Sequence, residues 1–307
     1  MTPQLPQRLL LSAILVLAPW SVAWAQVAAP VPVASSAASA TPQDATQASF
    51  DRAINDGGNW YFSWGFSRQQ YAPSDIHVSQ PGLGNDFTVR QARASDFPAS
   101  FEDTITSTLK LELTNPQENV RIGKFLNPEK TFAIEFSIDH SKYNTDFGQT
   151  VAVDGTINNV PQNGNTMVLT PQNFNYALHN GLNHLMVNAV WLHHLYGPSQ
   201  QPGHLQSISR VGAGILLPHA DNKILGNENQ VGPKNEKICC GSGDWWQING
   251  WTAGVEVGLR YTIYKSVYLE LTQKFAYGVL SRVPVYQGHA DQTIWMSEQV
   301  LSTGFRF

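Results

Sequence analysis

Little in this sequence points to redox, metal or nucleotide chemistry. There are only two cysteines in 307 residues, and they are adjacent, Cys239 and Cys240. Adjacent thiols build no disulfide framework, and tetrahedral metal sites want spaced ligands. A vicinal disulfide or a pair of exposed thiols is what such a pair allows. There is no Gly-rich phosphate loop, no zinc spacing and no dinucleotide fingerprint, so no cofactor is expected. Charged residues are scarce, at 14%, and the net charge of -4 gives no footprint for nucleic acid. Beyond the leader no run of about 18 apolar residues occurs, so no membrane helix is expected. That exclusion leaves strands untouched, because a barrel strand crosses a bilayer with about 10 alternating residues.

The leader carries Arg8, an apolar run from Leu9 to Ala18 and the small-x-small site Ala23-Trp24-Ala25. It reads as an export signal over 1–25, with the mature chain starting at Gln26. No cysteine follows the site, which argues against a lipoprotein anchor. Residues 26–58 are rich in Ala, Pro, Ser and Val and read as a disordered periplasmic linker.

From 59 to 307 the pattern is alternation. At the C-terminal end Trp251, Ala253, Val255, Val257, Leu259 and Tyr261 share one face, with Thr252, Gly254, Glu256, Gly258 and Arg260 on the other. After a turn at Tyr264-Lys265-Ser266, Val267, Leu269, Leu271 and Phe275 alternate with Tyr268, Glu270, Thr272 and Lys274. Leu301, Thr303, Phe305 and Phe307 end the chain. Period two means strands with one apolar and one polar face. Going back to the start of the region, the same pattern predicts a strand from Asn59 through Trp60, Phe62, Trp64 and Phe66. It predicts others over Glu118 to Leu126, Thr131 to Tyr143, His184 to Tyr196 and Gln206 to Leu217. The total is eight. The links after the first, third, fifth and seventh read as long, the last of them over Leu280 to Gln292. The others read as short turns such as Asn127-Pro128-Glu129-Lys130. The first long link has room for short strands near Asp86 to Val89 and Thr106 to Leu113. If it contributes a hairpin, the count becomes ten.

Alternating loop lengths and an even strand count are the habit of all-β, antiparallel transmembrane β-barrels. Aromatic residues fall where a bilayer's two interfaces would lie. Trp245, Trp246, Trp251, Tyr277 and Trp295 sit at the expected outer ends, and Trp60, Tyr264, Tyr268 and Phe305 at the inner ends. A soluble barrel or sandwich is the rival, since alternation alone does not say which face is inside. The leader, the aromatic ends and the terminal Phe307 favour the membrane.

On these features residues 59–307 resemble the small eight-stranded outer-membrane barrels, the OmpA/OmpX/OmpW-like group. Ser74-Asp75-Ile76-His77 followed by Asp86-Phe87-Thr88 also looks like a segment of uncharacterised bacterial barrels. The resemblance implies a place in the bacterial outer membrane among lipid and lipopolysaccharide. It also implies that Phe307 is read by the barrel assembly machinery. It brings no established activity.

The polar face offers the first candidate site. Glu135, Asp139, Arg210, Glu256, Arg260, Glu270, Lys274, Glu298 and Arg306 would line a lumen only wide enough for side chains to fill, so the charges must pair. An ion-paired plug and a gated narrow pore are both open. The second candidate is catalytic. Some eight-stranded barrels edit lipid A acyl chains, which needs a nucleophile, a base and a group that orients the base. Asp75 and His77 share a face of the first outer link, and Asp139-His140-Ser141 lies at the outer end of the third strand. His140 and Ser141 point opposite ways on a regular strand, and the deacylase spacing of His, one residue, then Ser-Asn is absent. A metal site on His194 is the least supported reading. The third class is a surface-binding protein, with long outer loops rich in Asn, Gln, Gly and Trp facing partners such as surface polysaccharide. The expectation is an outer-membrane barrel with a structural, surface-binding or limited solute-passage role. The alternative is a lipid A acyl-chain-modifying enzyme.

Overall fold

A computed structural model describes residues 58–96, 117–229 and 246–307. The leader, nearly all of the linker, Thr106 to Leu113, Cys239, Cys240 and Trp245 lie outside the described residues. Eight long strands carry the fold: β1 (Trp60–Tyr71), β2 (Glu118–Phe125), β3 (Phe132–Thr145), β4 (Ala177–Tyr196), β5 (Leu205–Pro218), β6 (Gly250–Tyr264), β7 (Val267–Val285) and β8 (Gly288–Arg306). Each pairs antiparallel with the next, and β8 pairs back to β1 from Tyr61↔Arg306 to Tyr71↔Met296, which makes a ring. Full closure leaves no bare sheet edge along these strands.

The ring is inverted relative to a soluble barrel. Leu271 is 61% exposed and Leu301 59%, with Ile134, Phe136, Val187, Val211, Val255 and Phe275 exposed beside them on the outside. The charged face is buried inside. An apolar exterior of this extent belongs against lipid. Two aromatic girdles border it. Trp251, Tyr277 and Trp295 touch one another at the outer border, with ring centroids 5.6 and 4.7 Å apart. Phe62, Phe305 and Phe307 form a chain at the inner border. Trp295 and Phe305 are ten residues apart on β8. At about 3.4 Å per residue and a tilt of roughly 40°, their rings stand about 26 Å apart along the axis, the height of a barrel's apolar band.

The short turns close the inner end. Asn127 accepts from the backbone N–H groups of Thr131 (3.0 Å) and Phe132 (2.9 Å), while Lys130 takes a left-handed φ of 54°. The outer end departs from the sequence reading in three ways. The expected loop over Leu280 to Gln292 is strand: β7 and β8 run 19 residues each and meet at the two-residue turn Tyr286-Gln287. A bulge at Ser281-Arg282 breaks the register and lets Val283, Val285 and Ala290 turn into an apolar core. The hairpin of the first outer link does form, from Ser74–Gln80 and Asn85–Ala92. It adds to β8 above the ring, at Ile76↔Gln292, and so leaves the ring at eight. The third departure is β4, which starts seven residues early, at Ala177, with a register shift between Leu178 and Leu182.

The hairpin continues sideways into Thr150–Ile157 and Asn165–Val168. One face of this outer sheet is apolar. Ile76, Val78, Phe87, Val89, Val151 and Val153 pack with Phe174, Tyr176, Leu182 and Leu216 over the mouth of the ring. One of the expected inner girdle residues is also elsewhere. Tyr268 points inward and is 1% exposed, because it fills the lumen beside Arg260.

Candidate functional site

Inward phase on adjacent strands puts opposite charges opposite each other. Arg210 on β5 faces Glu256 on β6, Glu256 faces Lys274 on β7, and Lys274 faces Glu298 on β8. The partners then choose by reach. Arg210 is the hub. Its Nε donates to Glu135 at 3.0 Å, its Nη1 to Glu256 at 2.9 Å and its Nη2 to Glu270 at 2.8 Å. Arg260 takes the other oxygen of Glu270 at 2.7 Å. Its guanidinium lies over the rings of Tyr268 and Tyr61, at 4.0 and 5.0 Å. Lys274 donates to Asp139 and stands 3.9 Å from Glu298.

Arg121, on β2, completes the cluster with Glu256 at 3.0 Å and Asp139 at 3.4 Å. It was not among the charges assigned from sequence. The strand is short and carries a cation in each phase, Arg121 and Lys124, so alternation alone does not choose between them. Lys124 faces out and sits over the Trp60 ring. Neutral groups fill the gaps. Tyr61 donates to Glu135 at 2.8 Å, Asn188 to Glu135 at 3.1 Å, and Gln69 and Asn119 to Glu298 at 2.9 and 3.1 Å. His184 bonds Thr252 at 3.0 Å. Four cations thus meet five carboxyls: Arg121, Arg210, Arg260 and Lys274 against Glu135, Asp139, Glu256, Glu270 and Glu298. The ninth charge named from sequence, Arg306, is apart from them. It donates to Gln200 at 2.7 Å, at the inner turn.

The catalytic candidates are not brought together. Asp75 lies on the outer sheet, held by Arg90 at 2.8 Å and by the backbone N–H of Gln91 at 2.8 Å. Burial pushes its carboxyl up, but these hydrogen bonds outweigh it and hold Asp75 below the usual carboxylate range. His77 bonds Asp86 at 2.6 Å and faces Asp291 at 3.8 Å. His140 and Ser141 sit at the irregular stretch of β3 and β4. His140 bonds the side chain of Asn183 at 2.7 Å, and Ser141 donates to the Leu182 carbonyl at 2.6 Å. At the inner rim His194 and His204 share a hydrogen bond of 3.0 Å. Among the described residues no group of three or more His, Cys, Asp or Glu is placed to hold a metal ion.

No family model matches the chain, and no curated protein matches it. Solved structures similar to it are small outer-membrane barrels. The outer membrane protein AlkL is 11% identical, with 90% of this chain and 98% of that one covered and a TM-score of 0.33. The outer membrane protein OprG from Pseudomonas aeruginosa is 11% identical over 82% of this chain and 97% of that one, with a TM-score of 0.37. Neisserial surface protein A is 10% identical, over 82% and 99%, with a TM-score of 0.33. The inverted, closed ring and its two girdles stand on this chain's own geometry, and they are those of an outer-membrane-type transmembrane β-barrel.

Proposed function

We propose that the protein is a closed barrel of the outer membrane that presents its outer sheet to partners, and that it conducts no solute through its lumen. The observation that carries this is a double seal. Arg121, Arg210 and Arg260 are each at most 2% exposed inside the ring, bonded to carboxyls on β3, β6 and β7. Above them the mouth is filled by an apolar core of Ile76, Phe87, Phe174, Leu182 and Leu216. An ion passing inward would have to part both layers, and opening the ion pairs would expose charge to a dry interior. A protein that neither conducts nor reacts acts through its surface, and among the described residues the outer sheet extends the wall beyond the outer girdle.

The test is conductance across a planar bilayer. The folded protein is expected to give no steady steps, and Arg210→Ala to give brief openings. Steady steps in the unaltered protein would overturn the reading. The dispersal of Asp75, His77, His140 and Ser141 onto separate partners supports a protein without acyl-transfer activity. The lipid A mass spectrum of cells is accordingly expected to be the same with and without it. A gain or loss of one acyl chain would return the argument to those four residues.

A further inference from the structure

A second site lies at the outer end, beside the bulge of β7. A cleft of about 920 Å³ opens there, within the range of small-ligand sites. Asn249, Gln247, Arg282, Tyr286, Gln287 and His289 line it, and no Asp or Glu is among its described lining residues. Its base is Asn249, which is 8% exposed. The Asn249 Nδ2 donates to the backbone carbonyls of Ser281 (3.2 Å) and Arg282 (2.9 Å). Those two bonds fix which way round the amide sits. They also leave its Oδ1 buried without a hydrogen-bond partner. A buried acceptor left without a partner carries its full desolvation cost, and native proteins rarely keep one without a use.

The bulge is built to the same end. Arg282 takes a left-handed φ of 56°, and its backbone N–H donates to Asp291 at 2.9 Å. This places the exposed Arg282 in the cleft wall at the point where the register breaks. On the facing turn, Gln287 donates to the Tyr286 hydroxyl at 3.0 Å, and Gln80 donates to the Tyr286 carbonyl at 2.6 Å. The tyrosine ring is thereby held at the cleft's edge. Asp291 also stands 3.6 Å from His289, just behind the wall.

We propose that this cleft binds an oligosaccharide bearing an anionic substituent. Sugar hydroxyls both donate and accept. A hydroxyl supplies the donor that Asn249 Oδ1 lacks, and the exposed amide of Gln287 accepts from and donates to its neighbours. Tyr286 offers a flat apolar face to the C–H side of a sugar ring. Arg282 pairs with a carboxylate or phosphate on the chain, and no lining carboxylate competes for it. The inference deepens the surface-binding reading by naming the partner class, and rests on that reading for its place on the cell exterior.

The test is isothermal titration of the detergent-solubilised full chain. The probes are an acidic oligosaccharide (hexagalacturonate), a neutral one of the same length (maltohexaose) and an acidic peptide (hexaglutamate). Hexagalacturonate is expected to bind, at least tenfold more tightly than the other two. Arg282→Ala and Tyr286→Ala, both at the cleft's wall, are each expected to weaken it tenfold or more. Their heat-modifiable gel mobility, which reports the folded barrel, should stay unchanged. Three results would overturn the proposal: no binding of hexagalacturonate, binding that neither substitution changes, or hexaglutamate bound as tightly. Bilayer conductance separates the two readings. A non-conducting barrel that ignores hexagalacturonate loses only the oligosaccharide assignment, whereas a conducting one loses the closed-barrel reading and leaves the titration to stand by itself.

Discussion

Arg210 donates to three carboxyls from three different strands, so it is the residue through which the lumen is tied together. Replacing it with Met keeps much of the volume and leaves Glu135, Glu256 and Glu270 without their shared donor. Breaking a buried pair this way costs about 3–5 kcal/mol. Heat-modifiable gel mobility should show Arg210→Met unfolding at a markedly lower temperature. An unchanged transition would mean that water reaches the carboxyls and screens them. His204 gives a second expectation at this scale. Burial pushes its imidazole pKa down, and the neighbouring His194 and Arg306 add to that. A lowered pKa means the folded state holds the neutral ring. The stabilisation is then present above the unfolded value near 6.5 and is lost as pH falls below it toward the folded value. His204→Gln should flatten the stability profile in that window, measured by urea unfolding at stepped pH. Eight of the lumen's charges were legible from alternation, because each sits in a strand long enough to fix its phase. Arg121 was not, and neither was the fact that Arg306 sits at the rim, bonded to a turn residue over a hundred positions earlier in the chain.

At the scale of elements, two cross-strand pairs hold the inner half of the barrel in shape. Tyr61 on β1 lies opposite Gly123 on β2, and Tyr268 on β7 opposite Gly304 on β8. In both pairs the tyrosine ring lies where the glycine's side chain would begin. A Cβ on Gly304 would come within 2.5 Å of the Tyr268 ring, and one on Gly123 within 2.2 Å of the Tyr61 ring. Laying an aromatic ring over a strand glycine is a known way to pin register and shield the backbone. These two rings also flank Arg260, so the glycines position the cation as well. Gly304→Val is therefore expected to destabilise the barrel by about 1–3 kcal/mol through overpacking. Slower refolding from urea into micelles would go with it. A variant as stable as the parent would show that the Tyr268 ring and the Phe62 carbonyl, which a Cβ there would meet equally closely, both move aside. The strands themselves were readable because period two persists through all eight. The outer extension of β7 and β8 was not. Pro284, Gly288 and the bulged Arg282 look like loop chemistry locally, and only the packing of Val283, Val285 and Ala290 into the outer core makes them strand.

For the whole molecule, the arrangement is a lipid-facing ring with a charged filling, capped by a small apolar core of soluble type. The chain by itself determined the ring. Alternation persisting through eight strands and aromatics at the strand ends leave little freedom once the apolar face must meet lipid. It also determined which charges share a face. What the tertiary structure decided was everything set by closure and by reach. Closure brings β8 beside β1 and so places Glu298 against Gln69, an adjacency that no local pattern encodes. Reach lets long side chains such as Arg210 and Arg121 choose partners beyond their ladder neighbours. The outer sheet's attachment above the ring, the scattering of the catalytic candidates and the cleft at Asn249 follow from the same cause. Each joins segments far apart in sequence, and the free energy that joins them is burial of apolar surface, which has no direction along the chain.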